Sequence, residues 1–131
     1  MPGQYKECPC GSEVDFVSCC GRYISGEQYP LTAEALMRSR YSAYVINDEE
    51  YLLSTWHSST RPEALGLDKD TTTKWAGLDI KATGQGSETD EQGMVEFVAR
   101  YKINGKAERL HEVSQFRKEK GKWFYLDGIL K

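Results

Sequence analysis

The chain has 131 residues and a mass of 14.9 kDa, with 39% apolar and 28% charged residues; this suits one packed domain with a small appendage and excludes wholesale disorder. Its 17 Lys and Arg against 20 Asp and Glu give a net charge of −3 and a pI near 5.4, which argues against a nucleic-acid partner held by bulk charge. No apolar run reaches the roughly 20 residues of a membrane span, and Met1–Lys6 lacks the basic-then-apolar start of a secretory signal, so a cytoplasmic location with no membrane span is expected.

The first feature along the chain is a cysteine cluster. All four cysteines lie within the first 20 residues, as Cys8-Pro9-Cys10 and Cys19-Cys20. In a reducing compartment such clusters bind metals or do chemistry more often than they form disulfides. Cysteines this close reach disulfide geometry only with strain. Two short pairs brought together by a loop can instead set four sulfurs at the corners of a tetrahedron, as Zn²⁺ requires, with Zn–S near ~2.3 Å. Gly11-Ser12 suits a tight turn after the first pair, and Gly21 a sharp exit after the second. Backbone N–H groups in such turns commonly donate to the thiolates. Zn²⁺ is the expected cofactor, with Cys8, Cys10, Cys19 and Cys20 as ligands. Iron–sulfur ligation uses four thiolates at other usual spacings. Zinc thiolates can also act as redox switches, and four unrelated reduced cysteines are the plainest alternative.

Residues 31–46 read as a helix, with Thr32 as N-cap, Glu34 in the first turn, and Met37, Tyr41 and Tyr44 on one apolar face. A second helix is expected over 49–57, burying Leu52, Leu53 and Trp56, and ending at Thr60-Arg61-Pro62. Residues 63–73 carry a weaker helical signal. From Lys74 the period becomes two. Trp75–Thr83 reads as a strand, 84–92 as a loop, and Val95–Ile103 as a half-buried strand. Asn104-Gly105 is a strong hairpin signal. Leu110–Lys118 returns, Lys120-Gly121 turns, and Lys122–Ile129 closes the meander. Helices followed by antiparallel strands give an α+β fold.

Several residues could serve a pocket between sheet and helices. His57 and His111 are the only histidines and could meet as acid and base; the plainer reading is a surface or hydrogen-bonded core role. Arg38 and Arg40 point in different directions on the first helix, so one is expected to reach a pocket anion or a carboxylate such as Glu112. Glu112 or Asp127 could act with a phenol from Tyr41, Tyr44, Tyr101 or Tyr125 in an apolar site, although aromatics at this periodicity are usually core. His57, His111 and Asp127 are thus the catalytic candidates, and Arg38, Arg40 and Glu112 the ligand-binding ones. No phosphate loop, nucleophile elbow or His-Glu-x-x-His occurs, so no reaction is assigned. The basic run Arg117–Lys122 reads as a solvated hairpin turn.

Cys8-Pro9-Cys10-Gly11-Ser12 with Cys19-Cys20-Gly21 resembles the SEC-C motif, a zinc-binding element also found at the C-terminal tail of the SecA translocase, where it contacts the chaperone SecB. Further along, Leu36–Tyr44, Tyr51-Leu52, Thr55-Trp56-His57, Phe97–Tyr101 and Gly121-x-Trp123-x-Tyr125-x-Asp127-Gly128 are similar to the YchJ-like family, an uncharacterised bacterial group. That resemblance implies a small zinc knob over residues 1–28. It also implies an NTF2-like (cystatin-like) domain over 29–131, in which a curved antiparallel sheet packs on N-terminal helices. Some members carry a second SEC-C motif at the C-terminus; residues 21–131 here contain no cysteine. The expected function is a zinc-binding accessory protein whose knob docks a partner protein. The alternative is an enzyme or small-molecule binder using the NTF2-like cavity.

Overall fold

The computed structural model describes residues 7–67 and 72–131. After a 3₁₀ turn at Phe16–Ser18 come three helices, α1 (Cys20–Ile24), α2 (Ala33–Ile46) and α3 (Glu49–Ser54). Four strands follow, β1 (Thr73–Gln85), β2 (Gln92–Ile103), β3 (Lys106–Glu119) and β4 (Lys122–Leu130), paired antiparallel in the order β1-β2-β3-β4. This is the expected α+β meander with helices first.

Local chemistry sets the helix ends. The Thr32 hydroxyl accepts the Ala35 N–H at 3.0 Å and starts α2. Asn47, at φ 62°, ends it in the left-handed region that Asn tolerates. The Asp48 carboxylate then accepts the Tyr51 N–H at 3.0 Å and starts α3. That helix stops three residues short of the expected 57 because the next backbone joins the sheet. The Tyr125 N–H donates to Thr55 O at 2.8 Å, and the His57 N–H donates to Tyr125 O at 2.7 Å. Tyr51 and Leu52 are therefore its buried side chains, while Leu53 and Trp56 are only half-buried. The helical turn expected within 63–73 falls largely on 68–71, outside the described residues. Before it, the Glu49 carboxylate accepts the N–H groups of Leu65 and Leu67 at 3.0 and 3.1 Å.

Both hairpin turns run through two residues with positive φ, Asn104-Gly105 (51°, 83°) and Lys120-Gly121 (53°, 82°). This mirror-image turn matches the twist of the flanking strands. Beside the second turn, the Lys118 ammonium donates to Glu88 O and lies over Trp123, and the Lys122 ammonium lies over Tyr29. The basic run thus makes local contacts at a turn.

The core lies between α2 and one face of the sheet. It is built from Leu36, Met37 and Tyr41 against Leu78, Val95, Phe97, Ala99, Phe116 and Trp123. Cys8, Cys10 and Cys20 belong to the same cluster, so the cysteine segment is packed into the domain. Burial pushes the phenols of Tyr41 and Tyr51 up to about 12. Unfolded tyrosines lose their protons near ~10, so between pH 10 and 12 the native state holds more protons and stability falls as pH rises. Arg40, pushed down to about 10 by burial, acts in the opposite sense over the same range. Burial also holds the phenols of Tyr44 and Tyr125 up, so the net expectation is a urea midpoint that is flat to pH 9 and falls above pH 10. A midpoint rising above pH 10 would show the phenols to be ionised in the native state.

Candidate metal centre

Cys8 and Cys10 sit on a short hairpin. The Cys8 N–H donates to Val14 O at 2.8 Å, and Glu7 bridges Asp15 in antiparallel fashion. The turn needs Gly11 at φ 87° and Glu13 at φ 68°. The Cys19 N–H closes the 3₁₀ turn on Phe16 O at 3.0 Å, and Cys20 begins α1. Gly21 is required for closeness rather than for a sharp exit: a Cβ there would meet Phe16 O at 2.7 Å and the Phe16 ring at 3.1 Å.

All four sulfurs lie within 4.8 Å of one another, with Cys10 and Cys19 Sγ 3.8 Å apart. A tetrahedral ZnS₄ site with ~2.3 Å bonds places its sulfurs about 3.8 Å apart. Cys8, Cys10 and Cys20 are buried, and Cys19 is half-buried. A closed, all-thiolate tetrahedron suits a structural metal ion, zinc or iron, and leaves no position open for substrate.

The surroundings favour thiolates. The Ser12 hydroxyl lies 3.1 Å from Cys19 Sγ, and the buried Ser42 hydroxyl 3.4 Å from Cys8 Sγ. Arg38 donates through Nη1 to Cys10 O at 2.9 Å, lies 3.8 Å from Cys10 Sγ, and pairs with Glu34 at 3.0 Å. Burial opposes the Arg38 charge, but Glu34 and the Cys10 sulfur outweigh it and hold the guanidinium above its ordinary range. The neighbouring Cys20 and Cys8 sulfurs hold Cys10 far below the ordinary thiol range, and Cys10 in turn pushes Cys20 and Cys8 up. Ser12 and Ser42 escaped the sequence reading. For Ser42 the signal was present: Arg38 and Ser42 are four apart on α2, on one face of the helix.

The other expected site residues separate. Arg38 reaches the cysteines, not the cavity. Arg40 and Glu112 do line a cavity of about 210 Å³ under the sheet, with Tyr44, Trp56, Trp75 and Tyr125 among its walls. The histidines do not meet there. His57 is buried at the β3–β4 end, with Nε2 2.7 Å from Glu119 Oε2 and Nδ1 2.7 Å from Ser59 Oγ. His111 alternates with Leu110 and Glu112, so it faces the opposite side of the sheet, 2.7 Å from Glu96. Asp127 is exposed on that outer side as well, opposite Gln115.

A family model described as the YchJ middle NTF2-like domain matches residues 32–128. A UPF0225 protein of Chromobacterium violaceum is 56% identical over 125 residues, covering 94% of this chain and 92% of that one. One from Cupriavidus metallidurans is 50% identical over 130 residues, covering 95% and 89%. Two solved structures are similar. The solution structure of a SEC-C motif containing protein from Rhodopseudomonas palustris has a TM-score of 0.78 at 29% identity, covering 94% of this chain and 97% of that one. The crystal structure of a SEC-C motif containing protein from Psychrobacter arcticus has a TM-score of 0.76 at 27% identity, covering 100% and 86%.

Proposed function

We propose, given that the chain belongs to the YchJ-like UPF0225 family, that Cys8, Cys10, Cys19 and Cys20 hold a structural zinc ion and that the loop they enclose docks a partner protein. The observation that carries this reading is the cluster of four cysteine sulfurs, all within 4.8 Å of one another. The cysteine-bearing element corresponds to residues 1–28 and the NTF2-like domain to 29–131, a division supported by a family match that begins at residue 32. Four clustered cysteines without a disulfide suit the reducing cytoplasm.

Zinc would tie the Cys8–Cys10 hairpin to the start of α1, fixing a stretch too short to build a core of its own. Four thiolates leave a zinc site with two net negative charges, which Arg38, Ser12 and Ser42 are placed to offset. The fixed loop turns apolar side chains outward: Val17 is 74% exposed and Val14 45%. Around them stand Glu7, Glu13 and Asp15, and residues 7–19 contain no Lys or Arg. Such a surface fits an apolar hollow rimmed by basic residues.

The test begins with elemental analysis of untagged protein purified without added zinc. One zinc per chain is expected, and no metal with four titrating thiols would refute the reading. The second arm compares pulldowns by the wild type and by Val17→Asp. The variant should keep its zinc, change stability by less than about 0.5 kcal/mol, and lose the partner. Recovery of the same partner by Val17→Asp, or by a Cys8→Ser, Cys10→Ser variant, would refute the docking role.

A further inference from the structure

We propose that the cavity beneath the sheet binds a small planar nitrogen heterocycle, about two fused rings in size, that donates one hydrogen bond to Glu112 and accepts one from Arg40. The cavity holds about 210 Å³. An apolar cavity of roughly 150 Å³ takes one benzene ring, so a second fused ring is within reach. Half of its lining residues are aromatic. Trp75 packs at 5.8 Å from both Tyr41 and Tyr44, and Trp56 meets Tyr125 edge-on at 4.9 Å. Flat, rigid walls of this kind favour a flat guest.

Two charged groups line this space, and both hold hydrogen-bonding capacity in reserve. Arg40 is 3% exposed, with its guanidinium 5.1 Å from the Trp56 ring and 4.6 Å from the Tyr125 ring. It donates to Leu52 O and Thr55 Oγ1, both at 2.7 Å and both through Nη1. Among the described residues, Nε and Nη2 have no acceptor, and Arg40 lines the cavity. Across from it, Glu112 accepts from Ser114 Oγ at 2.6 Å and Tyr125 Oη at 3.3 Å, both on Oε2. Its Oε1 has no donor among the described residues. Backbone chemistry makes room for this carboxylate: a Cβ at Gly128 would run into Glu112 Oε2. Arg40 and Glu112 are the only charged side chains in the described lining, and they form no direct ion pair. Their opposite charges leave the site neutral, which selects a neutral guest offering both a donor and an acceptor.

The experiment titrates the zinc-loaded full chain with benzimidazole, which has one N–H and one ring acceptor. Naphthalene, of the same size without either group, is the control. Amide and indole N–H resonances are followed by NMR. Saturable shifts confined to cavity residues, including the Trp56 and Trp75 indoles but not Trp123, are expected. Naphthalene should bind at least about tenfold more weakly, and Glu112→Gln should weaken benzimidazole by a similar factor. Absence of saturable shifts at millimolar ligand, shifts centred outside the cavity, or equal binding of the two compounds would overturn the proposal. If Glu112→Gln does not fold, the comparison of the two compounds on the wild type decides alone.

Discussion

Cys10→Ser is expected to reduce bound metal from one ion per chain to below about a tenth, and to lower Tm by about 10 °C or more. Cys10 is fully buried, its sulfur lies 3.8 Å from that of Cys19, and its carbonyl accepts from Arg38. With the proposed zinc, a serine oxygen would replace a soft ligand with a poor one and leave three thiolates without a shared cation. Structural zinc contributes roughly 10–16 kcal/mol to folding in isolated zinc fingers. Here the segment also packs on Leu36, Met37 and Tyr41, so part of the fold outlives the ion. A loss of about 3 kcal/mol already lowers Tm by about 10 °C in a chain this long. Circular dichroism should retain the strand signal, while amide exchange should accelerate in α2 between Arg38 and Ser42. An unchanged Tm in metal-free Cys10→Ser would mean that packing alone holds the segment.

Arg40→Ala is expected to cost about 3–5 kcal/mol, read as a lower urea midpoint with little change in slope. Three losses combine. Leu52 O and Thr55 Oγ1 lose their donor, two aromatic rings lose the cation between them, and Glu112 loses the nearby positive charge. The removed side chain also enlarges the cavity, which adds its own penalty. Arg40→Met refills most of that volume without the charge and should recover part of the loss, because a buried charge can be replaced by an apolar group at modest cost. Equal losses in the two variants would assign the effect to hydrogen bonding rather than to packing.

Much of this was legible in the sequence because it depends on local chemistry. Thr32, Asn104-Gly105 and Lys120-Gly121 act on their immediate neighbours, and they stand where their side chains and backbone preferences put them. The cysteine spacing likewise describes a local hairpin and a helix start. What the sequence hid depends on register and on distant partners. Asp127 should share a face with Trp123 and Tyr125 by period two. One extra residue at Leu126, opposite the Gln115–Phe116 step, turns Asp127 outward and Gly128 inward. His111 and Glu112 are adjacent in a strand, so only one could face the cavity, and strand direction alone does not say which. Arg38 and Arg40 differ in fate because one face of α2 meets the cysteines while the other meets Trp56 and Tyr125. Trp56 left its expected helix because β4 offered its backbone a partner.

That last pairing has a consequence for solubility. An open sheet ends in two rows of unsatisfied backbone groups, each a template for another molecule's strand. The β4 row is covered where residues 55–57 bond both sides of Tyr125 and Thr60 Oγ1 donates to Leu126 O. The β1 row is broken by two bulges, at Trp75/Gly77 and Ile80/Ala82. Straight addition of a foreign strand is thus blocked at one border and thrown out of register at the other. The few residues after α3 therefore occupy backbone groups of β4 at Tyr125 and Leu126 that a foreign strand would otherwise use.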